Sequence, residues 1–359
     1  MAKALVFQVG SLILALVAIA LIILLAGASP LQVMVSMGLG ALDSPNQVAR
    51  VAATLVPLLL CTSGLMFTFA AGLYNLGIEG QIVLGAIAAM APIRLFQDSL
   101  PASLVILLAL LTGLLGGLVW GLLAGLLKVY GQVNEIFAGL GLNFVADGLA
   151  LYLIFGPWKR PGVASMSGTE QLSESLWLPT LGQTEVSPIA LAIALSALVA
   201  TLVVLRGTYF GLQLKAIGHN LRAAYVQGVP SIRLLLSAFA ICGGLAGLAG
   251  GLQVLVVFHR LIPSISSNLG FLALLIALLV GSKGWLILPV SFFFSALNIG
   301  SLQLPLSLNL ESSLAGVIQA TLVLFALLGR GVSQVVKPSG LRHWLVSRCF
   351  SQARGEGEP

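Results

Sequence analysis

The stretch that decides the fold reads LVPLLLCTSGLMFTFAAGLYNLGIEGQIVLGA, residues 55–86. Two apolar runs, each long enough for most of a membrane helix, meet there at residues 72–81. The junction contains three glycines together with Asn75, Glu79 and Gln81. Glycine lets the backbone leave a helix, and an ionisable group so close to hydrocarbon usually faces a polar cavity. The junction therefore predicts a broken helix beside a polar path; the alternative is a tight turn at the membrane surface, with Glu79 in water.

The composition places the whole chain in a membrane. Of its 359 residues, 58% are hydrophobic and only 8% are charged, whereas a soluble domain carries roughly 25% charged residues. No polar stretch is long enough to bury a core of its own. The cysteines lack metal-binding spacing, the histidines are isolated and no Walker sequence occurs. We therefore expect no cofactor and no catalytic site.

Ten apolar segments follow one another along the chain, and they predict an all-α, polytopic membrane protein. Their predicted bounds are 4–25, 48–71, 78–96, 102–127, 133–155, 188–205, 231–258, 269–280, 285–302 and 310–328. Residues 29–47 are predicted as a loop, and residues 156–187 and 206–230 as polar stretches. Residues 1–330 are expected to form one transmembrane domain, followed by a basic tail at 331–359.

The positions of the basic residues predict the orientation of the chain. With both termini inside the cell, twelve of the 17 Lys and Arg residues lie on the inner side and five on the outer side. This is the asymmetry that the positive-inside rule requires. Because topology accounts for the basic residues, the net charge of +6 does not indicate a nucleic-acid partner.

Two further patterns concern how the segments pack. Gly113, Gly117, Gly121 and Gly125 recur at four-residue spacing in the fourth segment, which predicts close helix packing rather than chemistry. The tripeptide Asn-Leu-Gly opens the third segment at 75–77 and the eighth segment at 268–270. Since these two segments run in opposite directions, the repetition suggests inverted repeats with broken helices near the membrane midplane.

The fifth segment carries polar residues deep in its apolar sequence. Asn143 lies about 13 Å beyond Asn134 at 1.5 Å per residue, and Asp147 follows one turn later on the predicted same face. A carboxylate and an amide at this depth suggest a polar path, which Asn268 is predicted to join. The alternative is that they form hydrogen bonds between helices.

Residues 211–229 form the more informative polar stretch. Asn220 is predicted to cap a short helix over 221–227, on which Leu221, Ala224 and Tyr225 share a face. Gly218 and Gly228 bracket this helix, and Lys215 precedes it. A short helix between two membrane segments can fit a groove on a cytoplasmic partner; the alternative is a helix that rests on lipid headgroups.

The chain resembles the permease subunits of bacterial ABC importers for nucleosides and simple sugars, which belong with the branched-chain amino-acid and ribose permeases. The resemblance rests on AGLYNLGIEGQ at 71–81, on VNEI at 133–136 with Asn143, and on 211–229 followed by FAICGGLAGLAG at 239–250. It covers roughly residues 50–330. His219 and Leu221 stand where the family usually has an acidic residue and a proline, and Asp147 replaces a usually neutral residue.

This resemblance implies a ten-helix, multi-pass permease in the bacterial inner membrane, paired with an identical or homologous second permease. It also implies two cytoplasmic ATP-binding subunits, docked on residues 211–229, and an external substrate-binding lipoprotein. The rival expectation is a secondary transporter driven by H⁺ or Na⁺, with Glu79 and Asp147 as its carrier carboxylates. A passive channel is the third class.

Overall fold

The computed structural model describes residues 2–160, 168–182, 184–281 and 283–335, so the predicted basic tail lies almost entirely outside the described residues. The described chain is helical, and a single β-bridge joins Lys159 to Thr169. Its α-helices are α1 Ala2–Leu25, α2 Pro30–Leu42, α3 Pro45–Ala70, α4 Ile78–Phe96, α5 Ala102–Val129, α6 Glu135–Phe155, α7 Pro188–Gly207, α8 Tyr209–His219, α9 Leu221–Val226, α10 Ser231–Leu252, α11 Leu269–Val280, α12 Ile287–Ser301, α13 Leu304–Leu308 and α14 Leu314–Val335.

Most predicted segments agree with these helices to within a few residues, and α4 and α11 have the predicted bounds. The predicted loop at 29–47 is wrong, because α2 occupies most of it. Its sequence is mostly apolar, and Pro30 stands at the first helical position, where its missing N–H costs nothing. The polar stretch at 206–230 likewise contains α8, which is capped by the Thr208 side chain accepting from the Gly211 amide.

Seven helices in the described part of the chain are long and apolar enough to cross a membrane. The number is eight if α1 and α2, bent by 97° against each other, count as one span. The predicted count of ten is therefore not confirmed. One reason is α11, whose 12 residues extend about 18 Å, little more than half the hydrocarbon core.

The chain divides into two compact units. In the smaller unit, to which the described residues 2–40 and 300–335 belong, α1 packs against α14. Gly40 there lies so close to Gly300 that a Cβ atom on Gly40 would approach the Gly300 carbonyl oxygen to 2.9 Å. The larger unit, residues 41–299, contains the α3–α4 junction.

The core of the larger unit is a close packing of α4, α5 and α10. A Cβ atom on Gly117 would clash with the carbonyl oxygen of Gly243, and one on Gly121 would clash with that of Phe239. A Cβ atom on Gly113 would lie 3.3 Å from the Gly247 carbonyl oxygen, a tight contact. The predicted packing role of the α5 glycines is therefore confirmed, since only glycine lets these backbones approach so closely.

The polar stretch between α6 and α7 folds back onto the far end of α10. Residues Gln253–Phe258 continue α10 as a π-helix, and the Leu178 amide donates to the Leu255 carbonyl at 3.2 Å. The Trp177 indole stacks on the His259 imidazole, with ring centroids 3.9 Å apart. Partial burial lowers the pKa of His259 below its usual range.

Candidate functional site

The junction between α3 and α4 is the candidate site. The helix stops at Ala70, Gly72 takes the left-handed conformation with φ +77°, and α4 begins only at Ile78. The polar side chains Asn75, Glu79 and Gln81 of the junction are deeply buried, at 1%, 5% and 0% exposed. The predicted break is confirmed, and the alternative of a surface turn with Glu79 in water is wrong.

An amide pair closes the junction. Asn75 and Gln81 exchange two hydrogen bonds, of 3.0 and 3.2 Å, between their side-chain amides. The Asn75 Nδ2 atom also donates to the Cys242 Sγ atom of α10 at 3.1 Å. These contacts hold the non-helical segment against α10, and they are the kind of partner that a buried amide requires.

Asn143 of α6 holds the junction from the other side. Its Oδ1 atom accepts from the Gly80 amide at 2.8 Å, and its Nδ2 atom donates to the Leu76 carbonyl at 2.9 Å. Breaking the helix leaves such backbone groups without helical partners, and hydrocarbon cannot satisfy them. Asn143 was predicted either to line a polar path or to form hydrogen bonds between helices. Its observed contacts are hydrogen bonds between helices.

Glu79 joins the start of α4 to the start of α11. Its Oε1 atom accepts from the Phe271 amide at 2.9 Å, and a Cβ atom on Gly270 would lie 3.2 Å from its carboxyl carbon. The first-turn amides of a helix favour a carboxylate. Asn268 precedes α11 with φ +59° and makes no side-chain cap, so Glu79 fills the position that a capping residue would take.

Asp147 does not join this group. It is exposed on α6, whereas Asn143 is 6% exposed. Residues four apart differ by about 40° around a helix, and here that difference turns Asn143 toward α4 and leaves Asp147 outside. The two residues do share one side of the helix, as predicted, but Asn143 makes the hydrogen bonds to the junction and Asp147 is exposed. Of the six predicted path residues, the junction brings four together: Asn75, Glu79, Gln81 and Asn143.

Sequence reasoning missed the partners that complete the site, namely Cys242 and the Phe271 amide. Cys242 reads as a small hydrophobic residue, and a backbone amide has no signal in the sequence. The one available clue was the repeated Asn-Leu-Gly, because its second copy immediately precedes Phe271.

The segment at 211–229 contains the predicted short helix. The Asn220 side chain accepts from the Ala223 amide at 3.0 Å and caps α9, which confirms the cap. The three residues that were predicted to share one face of α9 differ in exposure. Ala224 is buried, whereas Leu221 and Tyr225 are 48% and 73% exposed. Gly228 ends this element with φ +81°.

The segment also contacts the α3–α4 junction. A Cβ atom on Gly218 would clash with the Ala70 carbonyl oxygen and would lie 3.0 Å from the Gly72 amide nitrogen. The Lys215 Nζ atom donates to the Leu205 carbonyl at 2.5 Å, at the end of α7. The exposed helix α9 is therefore only a few residues away from a close backbone contact with the broken helix.

Known proteins resemble this chain along most of its length. A glucose ABC transporter permease protein of Haloferax volcanii is 29% identical over 79% of this chain and 77% of its own. A guanosine ABC transporter permease protein of Bacillus subtilis is 28% identical over 88% of this chain and 90% of its own. A nucleoside ABC transporter permease protein of Lactococcus lactis is 25% identical over 79% of each chain.

The family model described as "Branched-chain amino acid transport system / permease component" matches residues 47–327. This range includes the junction, Asn143 and the segment at 211–229. The chain therefore belongs to the family of branched-chain amino acid transport system permease components, which are multi-pass membrane proteins.

Proposed function

We propose that this permease is the membrane subunit of an ATP-driven uptake system for a nucleoside or simple sugar in a bacterial inner membrane. The family match supports a transport permease. The nucleoside and sugar permeases among its relatives support the solute class. The proposed coupling to ATP is supported by the position of α9. This capped, exposed helix lies next to the contact between Gly218 and the broken helix.

The proposed topology has ten crossings with both termini inside. It is supported by contacts between residues that it assigns to the same side of the membrane. On the proposed outer side, Arg50 pairs with Glu185 at 3.2 Å and Arg94 lies over the Trp158 ring at 5.6 Å. On the proposed inner side, Lys128 pairs with Glu135 at 2.6 Å.

In this proposal Asn75 and Gly80 of the junction are placed well inside the membrane, whereas Ala70, at the end of α3, lies near the inner surface beside Gly218. Asn143, which holds the junction, lies eight residues beyond the start of α6, or about 12 Å at 1.5 Å per residue. Cys242, which contacts Asn75, lies eleven residues beyond the start of α10, or about 17 Å. Both values approach half of a hydrocarbon core of about 30 Å, where broken helices of transporters form their sites.

Helix α9 is proposed to dock in a cleft of a cytoplasmic ATP-binding subunit. The exposed side chains of Leu221, Tyr225 and Val226 supply an apolar surface on a short, capped helix. A displacement of α9 is passed to α8 and, through Gly218, to Ala70 and Gly72. ATP binding and hydrolysis on the partner would thereby move the junction and alternate the access to the path.

The exposed face of α6 is proposed to line the path and to meet a second permease subunit. Phe144 and Tyr152 are 76% and 67% exposed there, and Asp147 lies between them. A carboxylate on a membrane-spanning helix is costly against lipid and generally faces a partner or a water-filled cavity. Gly141 and Gly148 have open space around their Cβ positions, which leaves room for a closely packed helix.

The second candidate is a transporter driven by H⁺ or Na⁺, and the exposed carboxylate of Asp147 is the observation that favours it. Glu79 fits a carrier role less well, because the Phe271 amide already holds its carboxylate. The ATP-driven proposal also expects a substrate-binding lipoprotein on the outer side, which a secondary transporter does not need.

Uptake of labelled nucleosides and sugars in cells tests the proposal. ATP depletion and ionophore treatment are applied separately, with and without the gene for the substrate-binding lipoprotein. The proposal expects uptake to stop on ATP depletion or on loss of the lipoprotein, and to survive the ionophore. Uptake that stops with the ionophore and survives ATP depletion would establish the secondary transporter instead.

A further inference from the structure

A cavity of about 380 Å³ lies at the ends of α3 and α7, beside the contact of Gly218 with Ala70. It is within the size of small-molecule sites, roughly 300–1,000 Å³. Its lining includes the following basic and apolar side chains: Arg206, Lys215, His219, Met66, Phe69 and Leu202. Basic groups thus converge at one end of an apolar wall.

Within the described residues, no acidic side chain pairs with the basic side chains of this cavity. No acidic residue lines the cavity, and the ion pairs found in the described chain, Arg50 with Glu185 and Lys128 with Glu135, lie elsewhere. The Lys215 ammonium is fixed by the Leu205 carbonyl and keeps two further donors, since an ammonium carries three. A group with negative charge and several acceptor oxygens complements this arrangement.

The position of the cavity indicates that the negatively charged group comes from a membrane lipid. α3 and α7 are both long and apolar enough to span the membrane, so a cavity at their ends lies at the depth of the lipid headgroups. Met66 and Phe69 belong to the last turns of α3 and continue the wall toward the apolar interior. Basic pockets between membrane helices are known to bind anionic headgroups.

We propose that this cavity binds an anionic membrane lipid, with its headgroup phosphate on Arg206, Lys215 and His219 and an acyl chain along Met66 and Phe69. The bound lipid connects the end of α7 with α8 and with the turn after α11, where Gly281 and Gly284 complete the lining. This inference rests on the membrane topology proposed above. It is independent of the transported solute and of the energy source.

Native mass spectrometry of the purified full-length chain tests the proposal, with phosphatidylglycerol or phosphatidylcholine added. We expect the wild type to retain one phosphatidylglycerol and no phosphatidylcholine. Since each basic side chain near a membrane surface contributes about a five-fold factor, Arg206→Gln should weaken retention about five-fold and Arg206→Gln/Lys215→Gln roughly 25-fold. Arg233→Gln removes an exposed charge outside the cavity and should leave retention unchanged.

The possible results separate the lipid from other occupants. The single variant Arg206→Gln keeps the test decisive if the double variant does not fold. Equal retention by wild type and Arg206→Gln would overturn the proposal. A thermal stabilisation by inorganic phosphate equal to that by phosphatidylglycerol would assign the cavity to free phosphate. Loss of the lipid on addition of the ATP-binding subunit would assign it to protein docking, and each of these two results also overturns the lipid.

Discussion

The Glu79 carboxylate accepts a hydrogen bond from the Phe271 amide, 192 residues further along the chain, at 2.9 Å. This bond joins the first turn of α4, which follows one Asn-Leu-Gly tripeptide, to the first turn of α11, which includes the last two residues of the other. The two copies of the motif therefore meet in the interior of the larger unit. The inverted repeat with broken helices stays a prediction, and this meeting of two helix starts fits it.

Removing the Glu79 carboxylate tests whether it holds the junction. Glu79→Ala leaves the first-turn amides of α11 without this acceptor, and we expect a loss of about 1.5–3 kcal/mol in stability together with reduced uptake. Glu79→Gln keeps an acceptor oxygen and should retain most of both. Thermal unfolding in detergent and solute uptake check this. Unchanged uptake in Glu79→Ala would remove Glu79 from the mechanism.

Asn143 and Asp147 should respond in different ways, because one is buried in hydrogen bonds and the other is exposed. Asn143→Leu leaves the Gly80 amide and the Leu76 carbonyl unpaired, which should cost about 1–3 kcal/mol. Asp147→Asn should leave the unfolding temperature unchanged and lower uptake. Thermal unfolding of both variants measures the difference, and equal destabilisation would contradict the assigned geometry.

The sequence predicts the helices well and the site only in part. Apolar runs and the glycine-rich break locate α4 and α11, since both signals are local. The pairing of Glu79 with a backbone amide depends on tertiary packing, which has no local signal. The same holds for α6, where packing buries Asn143 and leaves Asp147, offset by about 40° around the helix, exposed. The helix α2 was missed because its apolar stretch is short and is flanked by residues typical of turns, Pro30 before it and Asp43 to Asn46 after it.

The glycine contact between α5 and α10 predicts a position-specific effect on folding. Gly117→Ala places a methyl group against the Gly243 carbonyl, and overpacking of this kind costs about 1–3 kcal/mol. Gly316→Ala adds the same methyl group in open space on α14 and should be neutral. Thermal unfolding of the two variants makes the comparison, and equal stability would argue against the close packing.

The contact of Gly218 with Ala70 and Gly72 predicts an uncoupled variant. In Gly218→Ala the added methyl group forces α8 away from the end of α3. We expect ATP hydrolysis by the assembled transporter to continue while uptake falls. Gly207→Ala, which meets nothing within 4 Å, is the matched control. Normal uptake by Gly218→Ala would exclude this contact as the connection between α9 and the junction.

ATP-dependent uptake in proteoliposomes that contain the reconstituted transporter tests the central claim most directly, with the wild type compared with Tyr225→Arg. Tyr225 is 73% exposed on α9, so arginine should fold normally there and disrupt an apolar docking surface. We predict that the wild type accumulates solute only with ATP, and that Tyr225→Arg neither retains the ATP-binding subunit nor accumulates solute. Accumulation driven by an ion gradient without ATP, unaffected by Tyr225→Arg, would contradict the account.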